Sequence, residues 1–303
     1  MGFSEADVIS ALKKVFATSD PRVLVGIGDD AAVVMGEAQQ VITTDMAIAD
    51  VHFKSDWSSA FDIGRKITAA NIADVMSMGA TCDYLVAAVS LTGTEELSWI
   101  ENLARGMRDE AERAGASIVG GDIARSAVIT IAMTAIGHTA NPILRNGAQV
   151  GDGIFVSSLP GWSAAGLELL TKEISVNSAA ADKALSEFSA PSLDYEVDFL
   201  SATSMADISD SLLIQVQQMA EASGVCFNID TGLISQCPEF QELIELAQEI
   251  NSDIWSWILA GGEDHVFLAT GRELPGIRIG TVGEGSGITG VEIKKAPVSW
   301  SHF

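Results

Sequence analysis

The chain has 303 residues, which is enough for two domains of ordinary size. Its hydrophobic share of 48%, with 28 glycines and 7 prolines, is typical of a mixed α/β protein, and its net charge of −24 argues against a nucleic-acid partner. The 3 cysteines show no CxxC spacing, which favours a reducing cytoplasm, and no apolar stretch approaches the roughly 20 residues of a membrane span.

The first half of the chain alternates predicted helices and strands. Ser4 and Asp7 have the spacing of a capping box, so an amphipathic helix is predicted to follow them. Periodicity then predicts, in chain order, a strand over residues 22–28, a strand over 41–44, a helix over 61–78, a strand over 81–91, a helix over 95–113, a strand over 117–119, a turn at 120–122 and a strand over 127–138. The gaps are too short for Rossmann crossovers, so we expect an antiparallel or mixed sheet.

A loop rich in proline, glycine and asparagine begins near Thr139 and divides the chain. We therefore predict one domain over residues 1–138 and a second, α/β domain over residues 139–303. In the second domain the patterns predict strands over residues 153–158, 225–229, 265–270 and 277–282, and helices over residues 193–202, 210–222 and 239–248.

The stretch "VGIGDDAAVV", residues 25–34, is the first candidate site. Its two glycines and Ala31 fit the phosphate-binding spacing of a dinucleotide fold, but no predicted helix follows to place its positive end at a pyrophosphate. Asp29 and Asp30 also stand where that anion would lie. The sequence therefore argues against a Rossmann site, and it contains no GxxxxGK[ST] loop.

Similar carboxylate-bearing segments end several other apolar elements. They carry, in chain order, Thr43, Thr44, Asp45, Asp50 and His52; Asn71 and Asp74; Asp122; Asp207, Ser209 and Asp210; and Glu263 and Asp264. Oxygen ligands without sulfur suit Mg²⁺, which usually takes one or two carboxylates beside water and phosphate oxygens. We therefore expect these segments to hold cations that in turn hold an anion, because the acidic chain would otherwise repel it. For each aspartate alone, a turn or cap role is the alternative, and for His52 the alternative is a half-buried structural histidine.

Taken in order, seven segments resemble the thiamine-monophosphate kinases, in the superfamily that also contains aminoimidazole ribotide synthetase and selenophosphate synthetase. They are "GIGDDAAVV", "TTDMAIADVHF", "NIADVMSMGA", "GGDIAR", "ILRNGAQVGDGIFVSS", "ADISDSLL" and "GGEDH". The resemblance implies an enzyme that phosphorylates thiamine phosphate to thiamine diphosphate with ATP, by direct in-line transfer with several Mg²⁺ ions. It also implies a homodimer: the amino-terminal mixed-sheet domain binds ATP and Mg²⁺ and joins its sheet to the partner's, and a carboxy-terminal α/β domain follows.

The resemblance further implies roles for individual residues. The implied metal ligands, some acting through backbone oxygen or water, are Asp30, Thr43, Thr44, Asp45, Asp74, Asp122, Asp207 and Asp210. The implied catalytic residues among them are Asp45, Asp122 and Asp210. The implied ATP contacts are Gly121, Asp122, Arg145 and Ser209, and the implied contacts of thiamine phosphate are His52, Glu263 and Trp300.

Two positions depart from the family pattern. Ser211 stands where the family usually has glycine after its Ser-Asp pair, and His265 stands where it usually has tyrosine after "GGED". Two other functions stay open: another ATP-dependent synthetase or cyclase of the same superfamily, and a relative that binds metal and nucleotide without turnover.

Overall fold

A computed structural model of the protein describes residues 5–25, 33–36 and 39–291. Helices and strands are mixed along these ranges, which confirms the predicted α/β class. No helix in the described ranges has the length and apolarity to cross a membrane. All 3 cysteines are described, and each is free and buried.

The described residues group into two compact units. One is drawn from residues 1–76 and 80–140, and the other from residues 77–79 and 141–303. The division of roles between residues 1–138 and 139–303 stays a prediction.

The described part of the first unit contains three helices and six strands. The helices are α1 (Glu5–Val15), α2 (Ala60–Ser77) and α3 (Leu97–Arg113). The strands are β1 (Val23–Val25), β2 (Val33–Val34), β3 (Gln40–Ile48), β4 (Thr81–Leu91), β5 (Ser117–Arg125) and β6 (Thr130–His138). Strands β1 and β2 pair with each other, and the other four form a sheet in the order β3-β6-β4-β5. Only β4 and β5 run parallel in that sheet, so the predicted mixed sheet is confirmed.

Helix α2 packs against one face of the four-stranded sheet, where Val75 lies beside Gly137 of β6. It begins after Ser59, whose hydroxyl accepts the Asp62 N–H at 3.2 Å, as an N-cap does, and donates to the Asp62 carboxylate at 2.6 Å. Alternate residues of β6 are buried on one face of the sheet. The other face is open in the single chain, where Ile42 is 64% and Met46 is 53% exposed.

The predicted turn at residues 120–122 is wrong, because β5 continues through it to Arg125. The two glycines of this segment pair with β4 instead. A Cβ atom on Gly121 would lie 2.0 Å from the carbonyl oxygen of Ala87. Glycine is therefore required here because two strands approach closely, and the chain reverses only after Arg125.

The described part of the second unit contains six helices and six strands. The helices are α4 (Trp162–Thr171), α5 (Ala179–Ser189), α6 (Leu212–Ser223), α7 (Thr231–Ser235), α8 (Pro238–Glu249) and α9 (Ile254–Ala260). The strands are β7 (Gly153–Val156), β8 (Ser204–Ile208), β9 (Cys226–Ile229), β10 (Val266–Gly271), β11 (Ile277–Gly283) and β12 (Gly287–Thr289). They form one sheet in the order β12-β9-β11-β7-β10-β8, which leaves β8 at an edge. Side chains such as Ile154, Phe227 and Leu268 are fully buried in its core.

The helix predicted over residues 193–202 is wrong, because this segment is irregular. The side chains of Asp194 and Asp198 accept N–H groups two or three residues ahead, at 3.0 to 3.1 Å. Such local bonds compete with the helical backbone pattern. A helix occurs earlier instead, as α5, which begins after the N-cap Ser178.

Candidate functional site

Strand β3 and helix α2 bring polar side chains together in the first unit. The Thr43 hydroxyl donates to Asp74 Oδ2 at 2.6 Å, and the Asp45 N–H donates to Asn71 Oδ1 at 3.1 Å. Asn71 is fully buried, and its Nδ2 donates to the Ile67 carbonyl at 2.9 Å, which fixes the orientation of the amide. Thr43 and Asp45 alternate onto the same face of β3, so the carboxylates of Asp45 and Asp74 lie on the same side of the sheet.

Thr44 and Asp122 project from the opposite face of this sheet. The Thr44 hydroxyl donates to a carbonyl of β6 at 2.8 Å. Residues in register across the strands are Met46, Ala132, Ala88 and Asp122. In-register side chains share a face, and three strand spacings put Asp45 and Asp122 about 14 Å apart. These two aspartates therefore do not meet within one copy of the chain.

His52 closes the loop that follows β3. Its Nδ1 accepts the Ile48 N–H at 3.1 Å, and its own backbone N–H donates to the Ile48 carbonyl at 2.9 Å. Because Nδ1 accepts, the ring carries its hydrogen on Nε2. The residue is half-buried, and these bonds give it a structural role in the loop, while its contact with thiamine phosphate stays a prediction.

Two of the implied site residues, Asp30 and Trp300, lie outside the described residues. The chain on either side of Asp30 is anchored to β4. Arg22, just before β1, forms an ion pair with Asp83. The Tyr84 hydroxyl donates to the carbonyl of the residue after β2 at 2.6 Å. These two contacts connect the ends of β1 and β2 to strand β4.

In the second unit, Asp207, Ser209 and Asp210 lie where β8 ends and α6 begins. Asp207 is buried, whereas Asp210 is exposed. Ser211 is the N-cap of α6, and its side chain accepts the Ile214 N–H at 3.2 Å. The residue that departs from the family glycine therefore stabilises the helix that follows the Ser-Asp pair.

The loop over residues 261–265 lies along this strand end. The Glu263 N–H donates to the Ser209 carbonyl at 2.6 Å, and the His265 N–H donates to the last carbonyl of β8 at 2.9 Å. Glu263 (φ 66) and His265 (φ 52) both have left-handed backbones, which are uncommon outside glycine and cluster at functional sites. His265 Nδ1 lies 3.2 Å from Asp207 Oδ2, and both side chains are buried.

Asp264, in the same loop, caps a helix. Its Oδ2 accepts the Gly161 N–H at 2.8 Å and its Oδ1 accepts the Ser163 N–H at 2.9 Å, at the start of α4. Burial raises the pKa of Asp264 to about 6, and the two backbone N–H groups oppose that rise. For this aspartate the cap role is the one that the structure shows.

Arg145 lies beside α6. Its Nη1 donates to Gln218 Oε1 at 2.7 Å, and its carbonyl accepts the Ser223 hydroxyl at 3.2 Å. The side chain is exposed, so its charge is available on the surface of the helix that begins after Asp210.

The oxygen donors suit Mg²⁺ by type, although they do not form a closed cage. Within the described ranges, no group of three or more His, Cys, Asp or Glu is placed to hold a metal. Asp45 and Asp74 lie on the same side of the sheet in the first unit, and Asp207 and Asp210 lie three residues apart where β8 ends in the second. Mg²⁺ is usually bound through one or two carboxylates, while waters and substrate phosphates complete its shell. Such pairs therefore fit a metal that arrives with a nucleotide.

Comparisons with known proteins identify the family of the chain. The family model for the amino-terminal domain of AIR synthase related proteins matches residues 28–139. A thiamine-monophosphate kinase of Mycobacterium tuberculosis is 36% identical over 250 residues, which are 82% of this chain and 74% of that protein. A crystal structure of the thiamine-monophosphate kinase from Stenotrophomonas maltophilia has a TM-score of 0.82 at 28% identity, over 95% of each chain. The structure "AaThiL complexed with AMPPCP and TMP" has a TM-score of 0.80 at 28% identity, over 99% of this chain and 97% of that one. The chain therefore belongs to the thiamine-monophosphate kinase family.

Proposed function

We propose that the protein transfers the γ-phosphate of ATP to thiamine phosphate, forming thiamine diphosphate by Mg²⁺-assisted in-line displacement. Family membership and a relative solved with AMPPCP and TMP support this reaction. The observation that carries the proposal is the group on β3 and α2, where hydrogen bonds fix Thr43 against Asp74 and the backbone of Asp45 against Asn71. Ordered carboxylates of this kind suit a phosphoryl transfer that depends on metal ions and positioning.

The reaction asks for little covalent chemistry from the protein. The second pKa of a phosphate monoester is about 6, so the attacking oxygen is already ionised at neutral pH and needs no strong base. The difficulty is to bring two anions together on a chain with a net charge of −24. When bound, Mg²⁺ would neutralise phosphate charge and align the transferred group. The contribution of the chain is to position these residues: Thr43 bonds the Asp74 carboxylate, and Asn71 bonds the backbone of Asp45.

We assign the remaining roles as follows. The proposed metal ligands are Asp30, Thr43, Thr44, Asp45, Asp74, Asp122, Asp207 and Asp210. The proposed ATP contacts are Gly121, Asp122, Arg145 and Ser209, and the proposed contacts of thiamine phosphate are His52, Glu263 and Trp300.

We further propose a cytoplasmic homodimer joined through the four-stranded sheet. The open face of this sheet carries Ile42 and Met46, both more than half exposed in the single chain. Large apolar side chains on a sheet face favour burial, and a second copy offers the same face in a symmetric contact. The cytoplasmic location rests on the free cysteines.

The decisive assay measures ADP release with thiamine phosphate, and with aminoimidazole precursors in parallel, with and without EDTA. We expect release with thiamine phosphate that requires Mg²⁺ or Mn²⁺ and stops in EDTA. Turnover of an aminoimidazole precursor alone would favour a synthetase or cyclase. Nucleotide binding without turnover would favour a relative that binds metal and nucleotide but does not catalyse a reaction. Full activity in EDTA would refute the proposal that the carboxylates bind a catalytic metal.

A further inference from the structure

A buried histidine–aspartate contact lies at the end of the edge strand β8. The side chains of Asp207 and His265 are 3% and 6% exposed, and His265 Nδ1 lies 3.2 Å from Asp207 Oδ2. An ionised carboxylate only accepts hydrogen bonds, so Nδ1 is the donor. The contact uses Oδ2, so His265 does not engage the other oxygen, Oδ1. His265 therefore holds one oxygen of the carboxylate and leaves the other for a further partner.

The backbone that carries His265 is fixed to the same strand end that carries Asp207. The His265 N–H donates to the Ile208 carbonyl at 2.9 Å, one residue beyond Asp207. Gly262, in the same loop, packs so closely that a Cβ atom would lie 2.5 Å from the carbonyl oxygens of Ser209 and Asp210. His265 also adopts a left-handed backbone with φ 52, which is unfavourable for a residue with a side chain. The loop thus holds the imidazole at a set place against Asp207.

We propose that His265 is a positioning residue for a cation bound by Asp207. By donating to Oδ2, the imidazole fixes the side-chain torsions of Asp207 and directs Oδ1 toward the metal that accompanies the nucleotide. Carboxylates that ligate metals are commonly held by such outer hydrogen bonds, and losing the outer partner typically weakens metal binding. This inference rests on the proposed function, because it takes Asp207 as a metal ligand.

The test measures the affinity of the full chain for Mn²⁺. Electron paramagnetic resonance detects the binding, with Mn²⁺ alone and with Mn²⁺ plus AMPPCP. His265→Phe keeps an aromatic ring and removes the donor. His265→Asn restores a nitrogen donor bonded to Cγ, where Nδ1 is, and asparagine tolerates the left-handed backbone. His265→Gln places its amide one atom further out, at the level of Nε2. Asp207→Asn identifies the part of the binding that depends on this carboxylate.

We expect H265F and H265Q to weaken the Asp207-dependent Mn²⁺ affinity by about 10- to 100-fold, and H265N to restore it to within about 3-fold of wild type. A contact that only satisfies a buried carboxylate would lower the melting temperature of H265F and leave Mn²⁺ affinity unchanged, which would overturn the inference. If H265F does not fold, the Mn²⁺ affinities of H265N and H265Q are compared instead, and equal affinities would overturn the inference. Wild-type protein without an Asp207-dependent Mn²⁺ site would also overturn it.

The same measurements separate this inference from the proposed function. If Mn²⁺ binding follows the expected order but the wild type releases no ADP with thiamine phosphate, His265 keeps its positioning role and the proposed substrate is wrong. If the wild type phosphorylates thiamine phosphate but H265F and H265Q bind Mn²⁺ as tightly as wild type, the proposed function stands and the role of His265 is refuted.

Discussion

Asp264 makes the stability of the protein depend on pH in a way that one substitution can isolate. Its carboxylate is buried against the backbone N–H groups of Gly161 and Ser163, and burial raises its pKa from 3.8 to about 6. A raised pKa in the folded state means that the native protein holds this proton more tightly than the unfolded chain. The contribution of Asp264 to stability is therefore complete below pH 3.8 and is lost as the pH rises through about 6.

The size of the effect follows from the two pKa values. A rise from 3.8 to about 6 corresponds to about 3 kcal/mol between full protonation and full ionisation. About 2 kcal/mol of this falls between roughly pH 4.5 and pH 8. Asp264→Asn removes the titration, but it also turns an amide N–H toward one of the two backbone N–H groups. A buried donor left without an acceptor costs about 1–3 kcal/mol, so D264N should be the less stable protein at acid pH.

The assay is urea unfolding of wild type and D264N from pH 4.5 to 8, followed by tryptophan fluorescence. The other ionisable groups are common to both proteins, so their contributions cancel in the difference of unfolding free energies. We expect the deficit of D264N to shrink by about 2 kcal/mol across this range. The matched control is Asp253→Asn, which replaces a capping aspartate at an exposed position, at the start of α9. If the difference in unfolding free energy between wild type and D264N stays constant with pH, the argument that burial raises the pKa of Asp264 is refuted.

Three further predictions concern the proposed reaction and assembly. Asp45→Asn and Asp122→Asn should each lower kcat at least about 100-fold, roughly 3 kcal/mol of transition-state stabilisation, in steady-state ADP release; near-normal rates in both variants would leave them as structural residues. His52→Ala should raise KM for thiamine phosphate but not for ATP, and should lower unfolding free energy by about 1 kcal/mol because the Ile48 N–H loses its acceptor. A lower melting temperature with unchanged KM would show that His52 has only a structural role in its loop. Light scattering at micromolar concentration should give a dimer that Met46→Glu dissociates and that Leu200→Glu, an exposed control in the second unit, does not. A monomeric wild type would contradict the proposed assembly.

The parts of the fold that the sequence predicts well are long and periodic. Helix α2 and strand β4 agree with the predictions for residues 61–78 and 81–91, because an extended run of residues specifies each of them. A glycine pair is ambiguous by comparison, since it is typical both of a turn and of two strands in close approach. At Gly121 the position of Ala87, far away in sequence, decides between the two.

The candidate site was predictable in residue type but only partly in arrangement. The spacing of Asn71 and Asp74 predicts one shared helix face, and both do contact β3. That Asp45 and Asp122 project to opposite faces depends on strand order and register, which no local pattern contains. Asp264 caps a helix more than 100 residues earlier in the chain, so its role could be recognised only from the tertiary structure.

The close approach of β5 to β4 has a consequence for how nucleotide contacts at this segment should be studied. Even a methyl group on Gly121 would force the two strands apart, because its carbon would lie 2.0 Å from the Ala87 oxygen. Loss of activity in Gly121→Ala would therefore report a displaced strand, whether or not ATP touches this glycine. The chemistry can be varied on the other molecule instead, with nucleotides in which single phosphate oxygens are replaced by sulfur or a bridging oxygen by methylene. Such analogues leave the protein backbone intact, so a change in their affinity reports the contact itself.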